Sequence, residues 1–190
     1  MLFRSSAQSS TPPADLDYSF TLNVVDKDGD AVAQSFTVHL DGDTTTGSLA
    51  LEAIAGTSGA DTLVGTANSD VIIGGGGHDL LTGGSGSDTF KFTSPLNANS
   101  SDSITDFNFA PVASGGDVLD LHDVLPGAAQ GQTTAGALGA YINVQTVSGN
   151  TVVSVDSDGA GGGAPVAVVT LQGITGVTLQ DLLNNGQIHT

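Results

Sequence analysis

The chain has 190 residues and a formal net charge of −17, set by 20 acidic residues against 3 basic ones. With Arg4, Lys27 and Lys91 as its only Lys or Arg residues, it has no patch that could neutralise phosphates or lie on an anionic bilayer, which excludes nucleic-acid and membrane-surface binding. The absence of Cys removes disulfides, thiolate zinc sites and thiol nucleophiles, and no apolar run approaches the roughly 18 residues that a membrane helix needs.

Residues 1–14 are rich in Ser, Thr, Pro and Ala and read as a flexible leader. The stretch Met1–Ser6 lacks the apolar core of roughly 7–15 residues that marks a secretory signal peptide. Over residues 15–43 apolar residues alternate: Tyr18, Phe20, Leu22 and Val24 share one face, and Phe36, Val38 and Leu40 do the same. Strict alternation predicts two half-buried strands joined through Asp26-Lys27-Asp28-Gly29-Asp30. An isolated hairpin is marginal in water, so this one reads as the terminal hairpin of an incomplete, Ig-like β-sandwich repeat. Asp26, Asp28 and Asp30 are spaced like the opening of an EF-hand loop, but no Glu stands at its twelfth position and Gly29 is misplaced; a plain turn and a metal site both stay open. Residues 44–55 read as a linker.

The next segment carries a period. Gly56, Gly65, Gly74 and Gly83 each open the same nine-residue phrase: GTSGADTLV, GTANSDVII, GGGGHDLLT and GGSGSDTFK. Asp61, Asp70, Asp79 and Asp88 stand sixth, and Leu63, Ile72, Leu81 and Phe90 stand eighth. Glycines, and the Asn68 that replaces one, suit the left-handed conformations of a tight turn. Three residues then make a short strand whose eighth position points inward. Each phrase is one turn plus one strand, and two phrases complete one coil. A single coil cannot bury its apolar face, so coils must stack. Glu52 is the only glutamate, and aspartate favours turns and oxygen-ligand cation sites over helix faces.

Residues 56–91 resemble the RTX (repeats-in-toxin) calcium-binding β-roll. The third and fourth phrases fit G-G-x-G-x-D fully. The first two carry Thr57 and Thr66 for the second Gly, departures expected to weaken the sites nearest the N-terminus. The resemblance implies an all-β fold: a parallel β-roll, preceded by the sandwich-like hairpin and followed over residues 92–190 by an irregular, mostly β cap with a short helix. It also implies calcium between coils. Strands on one face are two repeats apart, so Asp61 stacks over Asp79 and Asp70 over Asp88. Carboxylates about 4 Å apart repel by roughly 4 kcal/mol at an effective dielectric near 20, and a cation between them reverses the sign. By resemblance, carbonyls of Gly56, Ser58, Gly75 and Gly77 complete one site, and those of Gly65, Ala67, Gly84 and Gly86 the other. By extension Asp79 pairs with Asp102, and Asp88 with Asp117, in two degraded half-coils, Asp102–Phe107 and Asp117–Leu121, which also resemble the segments after the repeats in RTX proteins.

Further on, Tyr141–Val147 and Thr151–Asp156 alternate around Ser148-Gly149-Asn150 and predict a hairpin, Val166–Leu171 predicts a strand, and Thr178–Asp181 resembles a capping box opening a helix through Leu183. Asp156 and Asp158 read as a turn. The tail, with no Lys or Arg after Lys91, resembles the uncleaved signal of type I secretion substrates, especially large surface adhesins. His39, His78, His122 and His189 form no H-E-x-x-H, and no G-x-S-x-G occurs, so no catalytic set is expected. The reading is a non-enzymatic calcium module of a secreted, adhesin-like RTX protein, with the type I transporter as partner. The alternative is the RTX tail of a secreted protease or lipase.

Overall fold

The computed structural model describes residues 16–25, 31–40, 53–93, 101–159 and 161–190, the first two spans as strand backbone only. Two units divide the chain, residues 1–50 and 51–190. In the first, β1 (Leu16–Val25) and β2 (Ala31–Leu40) pair antiparallel along their whole length, with Leu16 opposite Leu40 and Phe20 opposite Phe36. The link bearing Asp26, Asp28 and Asp30 lies outside the described residues.

In the second unit, the eighth-position rule builds the roll. β4 (Thr62–Val64), β5 (Val71–Ile73), β6 (Leu80–Thr82) and β7 (Thr89–Lys91) are each three residues long and centred on that position. Successive strands fall in opposite sheets, and each pairs in parallel with the strand two repeats away: β4 with β6, β5 with β7. The degraded half-coils continue this order as β8 (Asp102–Ile104) on β6 and β9 (Val118–Asp120) on β7. Ile72, Leu81, Phe90, Ile104 and Leu119 fill the space between the sheets, at most 1% exposed.

One strand was not expected. β3 (Ala53–Ala55) lies inside the stretch read as a linker and pairs in parallel with β5. Ile54 stands nine residues before Leu63, so the inward position recurs one step upstream of the first full phrase. Ile54 and Leu63 are only partly buried and pack against the edge of the core.

Both sheets run on into the C-terminal region. β10 (Ile142–Val147) and β11 (Asn150–Val155) form the expected hairpin, but its turn is two residues: Ser148 and Gly149, with φ of 50° and 83°, leave Asn150 paired with Val147. These angles belong to the mirror-image turns that suit strand twist, which is why two residues suffice. β12 (Val166–Leu171) pairs antiparallel with β11 and parallel with β8, giving a six-stranded sheet β10-β11-β12-β8-β6-β4. The last strand, β13 (Ile188–His189), pairs in parallel with β9 and ends the five-stranded sheet β13-β9-β7-β5-β3. Two short α-helices stand among the described residues of the unit, besides a 3-10 turn at Val112–Ser114. α1 (Ala135–Leu138), capped by Thr134, was not expected; α2 (Leu179–Asn184) opens on the Thr178–Asp181 capping box and runs one residue past its expected end.

Candidate metal centre

The 18-residue period stacks the sixth-position aspartates into two columns. In one, the Asp61 N–H donates to Asp79 Oδ1 at 2.9 Å and the Asp79 N–H to Asp102 Oδ1 at 3.0 Å. In the other, the Asp70 N–H donates to Asp88 Oδ1 and the Asp88 N–H to Asp117 Oδ1, each at 2.9 Å. All four pairs expected from the sequence are therefore adjacent.

Their surroundings oppose ionisation. Asp70, Asp79, Asp88, Asp102 and Asp117 are all buried, whereas Asp61 is half-buried. Burial is the first cause that pushes Asp88 up to about 6 and Asp102 up to about 7, and it raises Asp79 and Asp117 as well. Neighbouring charge adds to it: Asp61 acts on Asp79, Asp117 and Asp70 on Asp88, and Asp79 on Asp102. Asp79 Oδ2 is, among the described residues, the one buried side-chain nitrogen or oxygen without a hydrogen-bond partner. It lies against Gly74, where a Cβ would collide with it and stand 3.1 Å from Asp102 Oδ2.

The turns above the columns take two forms. In the third and fourth repeats Gly75, Gly77, Gly84 and Gly86 have φ of 96°, 116°, 96° and 123°, a backbone that favours glycine. In the first two, Thr57 and Thr66 replace the first of these glycines and turn their N–H onto their own aspartate, at 2.6 Å from Asp61 Oδ2 and Asp70 Oδ2. Carbonyl oxygens line the seam between coils. Those of Thr57, Ser58 and Gly59 face Gly75, Gly76 and Gly77, and that of Gly74 faces Gly56. On the other column Thr66 and Asn68 face Gly84 and Gly86, and Gly83 faces Gly65. Ser58 was expected; Thr57, Gly59, Gly74, Thr66, Asn68 and Gly83 were not, because the direction of a carbonyl depends on the φ and ψ of each turn. None of the eight expected carbonyls, at Gly56, Ser58, Gly75, Gly77, Gly65, Ala67, Gly84 and Gly86, accepts a hydrogen bond from the described residues.

Among the described residues no three His, Asp or Glu side chains gather on one point. A cation in the seam would therefore rest on carboxylate pairs and main-chain carbonyls. All of these are hard oxygens, and a buried carboxylate oxygen with no donor is what a hard cation would satisfy; the set fits Ca²⁺.

The family model of the RTX calcium-binding nonapeptide repeat matches residues 55–90, in 4 copies. Residues 55–90 are RTX repeats. RTX nonapeptide repeats bind calcium. Among solved structures, the chain is similar to the AlgE6R3 subunit of the Azotobacter vinelandii mannuronan C5-epimerase, at 26% identity over 70% of this chain and 78% of that one, with a TM-score of 0.35. It is similar to the C-terminal domain (RV) of MpAFP at 29% identity, over 66% of this chain and 85% of that one, with a TM-score of 0.33. The AlgE6R2 subunit of the same epimerase matches at 25% identity over 67% of this chain and 88% of that one, with a TM-score of 0.33. No curated protein matches.

Two residues that support the RTX columns escaped the sequence reading. Asp106 accepts from the N–H groups of Gly83 and Gly84, both at 2.9 Å, in the fourth RTX turn. Gln187, fully buried, donates its Nε2 to the carbonyls of Asn108 at 2.9 Å and Asp117 at 3.0 Å. Asp106 could have been found from its place in the post-repeat motif; Gln187, 70 residues from Asp117, carries no local signal. His78 is exposed and donates Nδ1–H to the Ser101 carbonyl at 2.9 Å. Asp156 and Asp158 form an exposed turn, with the Asp158 N–H on Asp156 Oδ1 at 3.1 Å.

Proposed function

We propose that this chain is a non-enzymatic calcium module that folds outside the cell and directs type I secretion of a large, adhesin-like RTX protein. The observation that carries the reading is the pair of aspartate columns: buried carboxylates stacked two and three deep, with no ion pair to neutralise them among the described residues. The proposed ligands are Asp61, Asp70, Asp79, Asp88, Asp102 and Asp117 together with seam carbonyls. Bound calcium supplies the positive charge that the columns lack and accepts roughly 6–8 oxygens. Where calcium is scarce, as inside a cell, repulsion along the columns keeps the coils apart and leaves a chain that can be threaded through a transporter. Where it is abundant the coils close. The full-length antiparallel pairing of β1 with β2 supports the sandwich repeat of an adhesin ahead of a hydrolase tail. The export signal is assigned to residues 141–190.

Two experiments test this. Circular dichroism of the whole chain should show little β signal in chelator and a large gain in millimolar calcium, with magnesium a poor substitute. Each site held at about 100 times its Kd adds about 2.7 kcal/mol to stability. Equal spectra with and without calcium would remove the folding role. Co-expression with a type I exporter should place the whole chain, but not residues 1–140, in the medium; equal secretion of both would remove the export role.

A further inference from the structure

The same position of the repeat does two different things in this chain. In the first coil it is Thr57 and Thr66. Thr57 gives both its N–H and its hydroxyl to Asp61 Oδ2, at 2.6 and 2.8 Å. Thr66 does the same to Asp70 Oδ2, at 2.6 and 3.0 Å. The carbonyls of the same two threonines accept from the next coil, Thr57 from the Gly76 N–H at 2.9 Å and Thr66 from the Ser85 N–H at 3.2 Å. These hydrogen bonds tie the first coil to the second.

In the second coil the position is Gly75 and Gly84, which have no hydroxyl. The Gly84 N–H goes to Asp106, and Asp117 Oδ2 accepts from the Asn108 N–H at 2.8 Å, so the Asp117 end of this column has a donor. The other column holds the fully buried oxygen that has none. Asp79 is 2% exposed, its Oδ2 has no donor, and it faces Asp102 Oδ2 across Gly74. An unpaired buried carboxylate oxygen is among the most costly groups a fold can hold.

We propose that the Thr57 and Thr66 hydrogen bonds occupy the first coil's aspartates so that its calcium sites fill last, and that the first calcium ion is taken between Asp79 and Asp102, where no side chain or amide serves Asp79 Oδ2. This deepens the calcium reading above and rests on it. Asp102 lies downstream of residues 55–90, so the dominant site straddles the end of the recognised repeats. The threonines thus act as seals at the end of the roll.

The test is a calcium titration of the ¹⁵N-labelled whole chain, followed by amide shifts and by calorimetry. The first equivalent should move the amides of Asp79 and Ser103 and leave those of Thr57, Gly59 and Thr66 in place. Asp102→Asn should weaken the first binding event by at least tenfold, and Asp61→Asn by less than twofold. Thr57→Val with Thr66→Val should leave that first event unchanged while speeding hydrogen exchange at Gly76 and Ser85 in the half-saturated protein. The inference is overturned if the first equivalent moves Thr57 and Thr66, or if Asp61→Asn costs as much affinity as Asp102→Asn; either leaves the calcium reading intact. A wild-type chain that binds no calcium would overturn both. The shift map of the wild type decides the matter even where a variant fails to fold.

Discussion

Burial and mutual repulsion act on the same carboxylates, so the columns take up protons as well as cations. Asp88 and Asp102 are pushed to about 6 and about 7, and Asp79 and Asp117 move the same way, from an ordinary value of 3.8. Their folded-state pKa values lie above the unfolded ones. The stability they contribute is therefore fully present below pH 4 and lost as pH rises through 6 and 7. In chelator, the β signal of the chain should grow as pH falls from 8 to 5; a loss over that window would contradict the burial of these groups. With calcium the order reverses, because protons and Ca²⁺ compete for the same oxygens, and the apparent Kd should rise as pH falls from 7 to 5. At this scale the sequence showed the sixth-position aspartates completely, since a nine-residue register is visible without coordinates. It did not show the work of Thr57. Whether a second-position residue aims its N–H at its own aspartate or elsewhere depends on the sign of one φ angle, and the letters G and T suggest only which sign is easy.

The strands were legible to the extent that their pairing is local. The alternation at β10 to β12 and the inward position at β4 to β7 come from neighbours along the chain, and the structure places strands at each. β13 was not legible. Two residues, Ile188 and His189, make no periodic signal, and their strand exists because β9 offers an edge and because Gln187 anchors the approach. Helix α1 was missed for a similar reason: four residues, Ala135–Leu138, are too few to show a helical period, and Leu138 alone is buried. The anchor can be tested. Gln187→Ala leaves the Asn108 and Asp117 carbonyls without a donor inside the core and should destabilise the calcium-loaded protein by about 1–3 kcal/mol in urea titration. A Gln187→Ala protein as stable as the parent would mean that water replaces the amide there.

The molecule as a whole joins two kinds of closure. Coils within the repeats bring together residues 18 apart, as Asp61 with Asp79 and Asp70 with Asp88. The first irregular half-coils stretch this to 23 and 29 residues. The final strand closes over 70, from Asp117 to Gln187. Loop-closure entropy grows with the logarithm of length, so closing 70 residues rather than 18 costs about 1 kcal/mol more before any contact rewards it. Parallel pairing between distant strands is slow for the same reason. The roll therefore has a built-in order of assembly. After a jump into calcium, pulse-labelled hydrogen exchange should find the amides of Leu80 and Thr89, which bond to Asp61 and Asp70, protected before those of Leu119 and Leu121, which bond to Gln187 and His189. Simultaneous protection would mean the two ends fold as one cooperative unit. With the order as drawn, a chain emerging gradually from a pore would meet its short-range partners first, and the time its last strand spends unpaired would be set by the length of chain between Asp117 and Gln187, a kinetic delay written into the topology.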